Sequence, residues 1–242
     1  MKRLAHGALL TSACALTSVL SLSGAAEAGA LSINNAGFET DLAPAVGATG
    51  WSISSGGTDW FTTTAGAPDS ANDPAAAAGG VNWLSGNRLA TGAGASNNPQ
   101  IIEQVVDISS DAALIDSGDA LLDFSFMFSD SDQNDEGFVN VSFFSDVAGT
   151  ALLAGDLTTG VIAPTAADGE PRAPWALRGL SGDVPSSARS LKIELVINRL
   201  GGSAGNAHFD DFSGEITPIP EPAGLAMVAL CVGLLGAFRA RR

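Results

Sequence analysis

Residues 121–128 alternate apolar and polar side chains with a period of two. The apolar members would share one face of an extended chain, and they are Leu122, Phe124, Phe126 and Phe128. Residues 191–197 repeat the pattern, with Lys192 and Glu194 on the polar side. Strict alternation is typical of a β-strand that has one buried and one solvated face. Two sheets of such strands bury their apolar faces by packing together, so the pattern predicts a β-sandwich.

Four more segments have the composition of strands, and they are residues 101–108, 138–144, 175–180 and 207–216. Gly, Asn, Asp, Ser and Pro separate these segments, and helical periodicity is scarce. Residues 64–80 are rich in alanine, glycine and proline, which predicts a long loop. We therefore predict an all-β fold with one sandwich domain over residues 31–217, a length that suits a single domain.

The first 30 residues have the order of a secretory signal peptide. Lys2 and Arg3 form a positive start, an apolar stretch follows as far as residue 22, and small residues surround Glu27. This order predicts export, with cleavage after Ala28 or after Ala30. An uncleaved N-terminal anchor is the alternative.

The end of the chain, residues 218–242, consists of a proline-rich motif, an apolar run and a basic cluster. These are Pro220, Glu221 and Pro222, then the uncharged run from Ala223 to Phe238, then Arg239, Arg241 and Arg242. A helix over the apolar run would be about 24 Å long at about 1.5 Å per residue, slightly shorter than the ~30 Å hydrocarbon core of a bilayer. The positive-inside rule keeps the arginines cytoplasmic and places the preceding chain outside the inner membrane.

This arrangement resembles the PEP-CTERM sorting signal of Gram-negative bacteria that produce exopolysaccharide, with Pro220, Glu221 and Pro222 at the signature tripeptide. The resemblance implies that a membrane-embedded exosortase cuts near the tripeptide and passes the protein to the cell surface or to the extracellular biofilm matrix. The two prolines would keep the segment extended and stop the helix from growing backward. A plain C-terminal membrane anchor is the alternative.

The chain is strongly acidic, with 26 Asp and Glu against 11 Lys and Arg and a net charge of −15. Nucleic acid is not expected as a partner, because phosphate binding needs clustered Lys and Arg. Solubility and divalent cations fit an acidic surface better. Cys14 and Cys231 are the only cysteines, and each lies in a terminal segment. The predicted domain therefore has no disulfide and no thiol catalysis.

Both ends of the predicted domain are similar to galactose-binding-like jelly rolls, the fold of several carbohydrate-binding modules. The similar residues are the opening at 34–39 with Gly50 and Trp51, the strand at 104–108, and the closing strand at 207–213. The resemblance implies a jelly-roll β-sandwich that associates with polysaccharide. It also implies a structural calcium ion held by Glu39 and Asp211, with Asn35 or Asp41 as further candidates.

Calcium takes six to eight oxygen ligands, so two carboxylates with loop carbonyls could join the two ends of the domain. The alternative is that Glu39 is a solvated turn residue and that Asp211 protects an edge strand. A second acidic cluster, residues 130–137, begins like an EF-hand loop but lacks its glycine and its final glutamate. We interpret that cluster as a polar hairpin loop between two strands.

Tryptophans are the candidate sugar-stacking residues, because their flat apolar faces match the CH face of a pyranose ring. Trp51 follows Gly50 in the opening and is predicted to be buried. Trp60 and Trp83 lie in loop-like sequence and are the candidate ligand-binding residues, although a core position is the alternative for both.

No catalytic residue is predicted. His208 is the only histidine of residues 31–217, no nucleophile motif accompanies it, and a packed strand histidine is the simpler interpretation. One histidine and no cysteine cannot form the usual zinc site. Glu103 is the best candidate for a hydrolase carboxylate, although its side of the strand could equally be the solvated one.

The sequence thus predicts an exported, non-catalytic binding module that associates with polysaccharide at the cell surface or in the matrix. A structural or adhesive matrix protein without a defined ligand is the alternative, and a glycoside hydrolase is a third hypothesis.

Overall fold

The computed structural model describes residues 28–42, 45–55, 60–65, 73–86, 99–131, 135–167, 170–200 and 205–219. The predicted sorting tripeptide and apolar run lie outside these residues, and so do residues 1–27 of the predicted signal peptide. In the part of the chain that is described, no helix has both the length and the apolar character that a membrane span requires.

The described residues form an all-β fold, as predicted. The strands are β1 (Gly29–Ala30), β2 (Ala45–Val46), β3 (Ser52–Ser55), β4 (Trp60–Thr63), β5 (Trp83–Gly86), β6 (Gln100–Asp107), β7 (Ala120–Ser129), β8 (Asp135–Phe144), β9 (Leu157–Thr158), β10 (Ala176–Asp183), β11 (Ser190–Arg199) and β12 (His208–Pro218). One short helix, α1 (Ala112–Ser117), follows a 3₁₀ turn at Ser109–Asp111. All six segments predicted as strands are confirmed, in β6, β7, β8, β10, β11 and β12.

The strands form two antiparallel sheets. The larger sheet has seven strands in the order β10-β7-β12-β5-β4-β2, with β1 also paired to β12, and the smaller sheet has the order β3-β6-β11-β8-β9. β7 and β12 are the long central pair of the larger sheet, while β6, β11 and β8 form the centre of the smaller one. The inner faces of the two sheets pack on each other, which is the predicted sandwich.

The period-two pattern of the sequence puts the apolar side chains between the sheets. Phe124, Phe126 and Phe128 of β7 are buried, and so are Leu191 and Ile193 of β11. Fully burying such a side chain contributes roughly 1.5–3 kcal/mol. The core therefore runs along the full length of β7 and β11.

The acidic segment at residues 130–137 is not the hairpin loop predicted from the sequence. β7 belongs to the larger sheet and β8 to the smaller one, so the chain crosses between sheets here. Asp130 and Asp135 are also buried and not solvated. The prediction failed because two neighbouring alternating strands look the same in sequence whether they share a sheet or face each other.

The two ends of the sandwich differ in chemistry. At one end Leu114 and Ile115 of α1 pack into the core. At this same end β12 finishes at Pro218, and Ile219 donates its N–H to the Asp119 carbonyl at 2.7 Å. The other end carries buried polar side chains, among them Gln100, Ser129, Asp130, Asp135 and His208.

Candidate functional site

An irregular segment, residues 73–82, precedes β5 and covers part of the larger sheet; we call it the strap. Leu84 and Phe209 of the paired strands β5 and β12 point into the core. Because side chains alternate along a strand, their neighbours Trp83, Ser85 and His208 point outward. All three are nevertheless buried, at 1%, 0% and 0% exposed, because the strap lies over them.

Asp210 holds the middle of the strap. Its Oδ2 accepts the backbone N–H groups of Ala78 at 2.9 Å and of Gly79 at 3.2 Å, while Oδ1 accepts the N–H of Asp211 at 2.8 Å. Burial raises the pKa of Asp210 to about 7, and the charge of Asp211 adds to this, although the backbone hydrogen bonds oppose it. The carboxyl group thus changes its charge near neutral pH.

Glu39 holds the end of the strap that enters β5. Its Oε1 accepts the N–H groups of Val81 at 2.9 Å and of Asn82 at 2.7 Å. Asn82 in turn donates its side-chain N–H to the Asp41 carbonyl at 2.9 Å. The opening of the domain is therefore tied to the strap by a carboxylate that bonds the backbone, so the tie does not depend on the strap's side chains.

Two rings lie against the beginning of the strap, and one of them is hydrogen-bonded to it. Trp175 donates its Nε1–H to the Ala76 carbonyl at 2.7 Å. His208 Nε2 lies 3.4 Å from Asp73 Oδ1 without forming a hydrogen bond, whereas its Nδ1 shares a hydrogen bond of 2.6 Å with Ser85 Oγ. Sequence reasoning found His208 but missed Ser85 and Asp73, since neither has a motif around it.

Ser85, His208 and Asp73 lie in the order serine, histidine, aspartate, but only the first two are hydrogen-bonded to each other and none of the three is more than 1% exposed. Ser85 also sits on Nδ1 and the aspartate on Nε2, the reverse of the serine-hydrolase arrangement. In this conformation the three residues link β5, β12 and the strap, and the serine hydroxyl is out of reach of a substrate.

The expectation that Trp60 and Trp83 lie in exposed loops is wrong. Both lie in strands, β4 and β5, at 0% and 1% exposed. Trp60 belongs to the core between the sheets, whereas Trp83 lies outside that core, beneath the strap. Trp51, predicted to be buried, is buried, at 7% exposed. Trp60 therefore offers no ring face to a ligand, and Trp83 offers one only if the strap moves.

The predicted calcium ligands, Glu39 and Asp211, come together at the strap. A methyl group added to Gly79 would touch the Asp211 carboxylate, and one added to Gly80 would touch that of Glu39. Within the described ranges, however, no three Asp, Glu, His or Cys side chains are grouped closely enough to hold a metal ion. Glu39 and Asp211 therefore fit calcium only if most of its ligands are backbone carbonyls, which a calcium ion accepts.

The further calcium candidates, Asn35 and Asp41, are engaged with each other. The Asp41 carboxylate accepts bonds from the Asn35 side chain at 3.1 Å and from the Thr49 N–H at 2.9 Å. Partial burial would raise the pKa of Asp41, but hydrogen bonds from Thr49, Asn35 and Thr62 outweigh it and lower the pKa below the usual value. This carboxylate stabilises the opening turn by itself.

The outward side of the smaller sheet is a second candidate binding surface, and we call it the polar face. One row across the strands contains, in order, Ser52, Glu103, Glu194, Asn140 and Thr158. Lys192 contacts the carboxylates of Glu103 at 3.3 Å and of Glu194 at 2.7 Å. Partial burial would lower the pKa of Lys192, but the hydrogen bond and charge of Glu194, with those of Glu103, raise it. Glu103 thus lies on the solvated side of its strand.

The next row of the polar face is apolar. Val196 of β11, which is only 3% exposed, lies opposite Ile101 of β6 and Phe138 of β8, and these two side chains are half-buried. Beyond it Asn198 donates to the Glu136 carboxylate at 2.9 Å. The apolar row is therefore flanked on both sides by hydrogen-bonding side chains.

No protein-family model matches this chain, and no curated protein matches it. Solved structures do resemble it. Fisc, a Stig cyclase from Fischerella sp. TAU solved in complex with (3Z)-3-(1-methyl-2-pyrrolidinylidene)-3H-indole, aligns with a TM-score of 0.55 and 16% identity over 80% of this chain and 100% of its own. At this identity the likeness shows the fold alone: an antiparallel β-sandwich domain.

Two further structures align less closely. The carbohydrate-binding module TmCBM61, solved with β-1,4-galactotriose, has a TM-score of 0.40 and 14% identity over 75% of this chain and 94% of its own. The enzymatically active domain of tailspike protein 4 of bacteriophage CBA120 has a TM-score of 0.47 and 16% identity over 76% of this chain, which spans only 21% of that one. These scores are too low to bear on function.

Proposed function

We propose that the chain is an exported, non-catalytic β-sandwich module that binds polysaccharide through the polar face of its smaller sheet. The observation that supports this most directly is the order of rows on that face. An apolar row at Val196 lies between a row of carboxylates and amides at Glu194 and a second polar pair at Asn198.

This order suits a sugar ring. A pyranose has apolar CH faces and a rim of hydroxyl groups, so it can rest on the half-buried side chains of Phe138 and Ile101, which flank the buried Val196, while its rim reaches both polar rows. Carboxylates accept two hydrogen bonds from hydroxyl groups, and an amide such as Asn140 both donates and accepts. A flat sheet surface also lets a long polymer extend across several strands, which a closed pocket does not.

Delivery to the cell surface is the second part of the proposal. The order of residues 1–30 and the Pro220, Glu221, Pro222 motif with its apolar run and arginines support export, a transient stay in the inner membrane, and processing by an exosortase. The protein would then reside at the cell surface or in the matrix of a Gram-negative bacterium, where exopolysaccharide is the abundant ligand. The acidic surface keeps it soluble there.

Affinity electrophoresis of the full-length protein in gels containing different polysaccharides tests the binding role. We expect retardation in at least one gel, and we expect Glu194→Ala or Phe138→Ala to abolish it. The matched control is Glu215→Ala, which removes an outward glutamate from a central strand of the other sheet. Folding of each variant is checked by thermal unfolding.

Two results would overturn the proposal. Retardation that persists in Glu194→Ala and Phe138→Ala would place the binding elsewhere on the molecule. No retardation in any gel, together with calcium-dependent self-association in light scattering, would favour the alternative of a structural matrix protein without a defined ligand.

A further inference from the structure

The strap is held by hydrogen bonds and not by buried apolar side chains. Residues 75–80 are four alanines and two glycines, and no residue of the strap belongs to the hydrophobic core. Its backbone is hydrogen-bonded to the side chains of Asp210 in β12, of Glu39 in the opening segment and of Trp175 just before β10. A segment with few apolar contacts opens at lower free energy than the strands beneath it.

Beneath the strap lies an aromatic side chain that the core does not use. The Trp83 ring contacts the rings of Trp175 at 6.3 Å and of His208 at 6.4 Å, both nearly edge to face. Its Nε1–H is buried, and no acceptor for it occurs among the described residues. The Nε1–H groups of Trp51 and Trp60 are also buried without an acceptor, but those two rings belong to the core. Of the three, only Trp83 lies beneath the strap, where a ligand that displaces the strap can supply the missing acceptor.

The strap donates hydrogen bonds to the Asp210 carboxylate in the way that a ligand could. Two adjacent backbone N–H groups, those of Ala78 and Gly79, converge on one carboxylate oxygen. If the strap lifts, Asp210 loses both donors and Trp83 becomes accessible. A ligand that replaces the strap must therefore supply two adjacent donors to Asp210 and one acceptor to Trp83 Nε1.

We propose that the strap covers a second binding site, formed by Trp83, Trp175 and Asp210, and that its ligand is a ring with a vicinal diol, as in a single sugar residue. A diol provides two adjacent O–H donors for the carboxylate, and its oxygens also accept from the indole. Ammonium and guanidinium groups supply donors but no acceptor, so they do not fit. The apolar face of the ring stacks on one of the two tryptophans and the other borders it, because the two indole rings are nearly perpendicular.

This site is separate from the polar face, since it lies on the outward side of the other sheet. The two sites also differ in the ligand that they accept, because a covered site takes a single sugar ring and not a long polysaccharide chain. The strap backbone occupies the place of the diol until the ligand displaces it. Binding and strap opening are thus one event.

Titration calorimetry tests the site on the full-length protein in mild detergent with a chelator present. The probe is methyl β-D-glucopyranoside or methyl β-D-galactopyranoside, and the control probe is the fully O-methylated glycoside, which keeps the ring and its acceptors but has no O–H donors. We expect binding of a free glycoside only. In the same samples, hydrogen–deuterium exchange at the amides of Ala78 and Gly79 should become faster with ligand.

Three variants sharpen the test. Trp175→Phe keeps an aromatic wall but removes the bond to Ala76, so it should tighten binding several-fold by loosening the strap. Asp210→Asn should weaken binding about tenfold or more, the effect expected when a bond to a charged acceptor is lost. Glu215→Gln, an exposed change on the same strand, should leave binding unchanged.

The proposal fails if neither glycoside binds even to Trp175→Phe. It also fails if a glycoside binds while exchange at Ala78 and Gly79 stays slow, or if the control probe binds equally well. Binding that survives Asp210→Asn and disappears in Glu194→Ala would assign the sugar to the polar face instead, which would support the proposed function and overturn the covered site.

Discussion

Glu103 of β6 and Glu194 of β11 lie directly opposite each other at the centre of the smaller sheet. Like charges in this position destabilise a sheet unless a cation lies between them. Lys192 contacts both carboxylates, so the polar face keeps two acceptors side by side at little cost in repulsion.

Lys192→Met should therefore lower the free energy of unfolding by about 0.5–1 kcal/mol, a value reduced by solvent screening. The loss should shrink at high salt, because ions screen the remaining repulsion. Urea denaturation at two salt concentrations measures both. Arg189→Met is the control, since its partner Asp116 faces solvent and no second carboxylate is described opposite it. A loss that does not depend on salt would mean that Lys192 acts through packing alone.

Trp60→Ala should cost about 3–5 kcal/mol of stability, because it leaves a cavity in the core. Leu42→Ala, at a side chain that is 91% exposed, should cost almost nothing. Chemical denaturation of both variants checks this. A Trp60 variant that is as stable as the parent protein but fails to bind polysaccharide would restore the sequence-based assignment of Trp60 to a ligand site.

Asp210 should make the domain less stable as the pH rises. Its pKa is about 7 in the folded protein against 3.8 ordinarily, so between these values the folded state holds a proton that the unfolded chain has released. The free energy of unfolding therefore falls through this window, by at most about 4 kcal/mol, and stays level above it.

Thermal unfolding in chelator between pH 5 and pH 8 measures the effect, and Asp210→Asn should show a smaller fall. The neighbouring ionisable groups His208, Asp73, Asp211 and Glu39 are present in both proteins, so the difference isolates Asp210. Identical pH profiles would contradict the prediction.

Calcium should raise the melting temperature if Glu39 and Asp211 hold the ion predicted from the sequence. We expect a stoichiometric site by calorimetry, a lower melting temperature in chelator, and loss of both effects in Asp211→Asn. Asp123→Asn, an exposed aspartate on β7, is the matched control. If calcium does not change the melting temperature, the role of Glu39 is limited to accepting hydrogen bonds from the strap amides.

The mature N-terminus should be Gly29. β1 consists of Gly29–Ala30 and pairs with Ile216 and Glu215 of β12, and Leu31 donates to Gly214 at 2.8 Å. Of the two predicted cleavage positions, the one after Ala28 keeps this strand and the one after Ala30 removes it. Mass spectrometry of the exported protein distinguishes them, and a terminus at Leu31 would show that the domain does without β1.

The long strands could be predicted from the sequence because their two faces differ in chemistry. β7 and β11 alternate over most of their length, since one face meets the core and the other does not, although Met127 and Val196 interrupt the polar side. β5 could not be predicted, because all four of its residues are buried and its pattern therefore does not alternate. The strap is the cause, since it covers the side that would otherwise be polar.

The candidate sites were predictable to a similar extent. The pair Glu39 and Asp211 followed from resemblance, and the structure brings them to adjacent glycines, Asp211 to Gly79 and Glu39 to Gly80. The role of Asp210 could not be predicted, because its partners are backbone amides that any sequence would supply. Ser85 and Asp73 approach His208 only through the fold, from sequence positions that share no motif.

The end of β12 limits how the folded domain can stand on a membrane. Ile219, the last described residue, is hydrogen-bonded to Asp119, and in the sequence only Pro220, Glu221 and Pro222 separate it from the apolar run. The four Cα–Cα steps from Ile219 to Ala223 span at most about 14 Å. A domain anchored by that run would therefore rest on the bilayer with α1 facing the membrane and its polar end pointing away from the membrane. An enzyme that cuts at the tripeptide would have the folded domain directly beside its cleavage site. It would gain more extended chain only if the pairing of Pro218 with Ala120 at the end of β12 were broken.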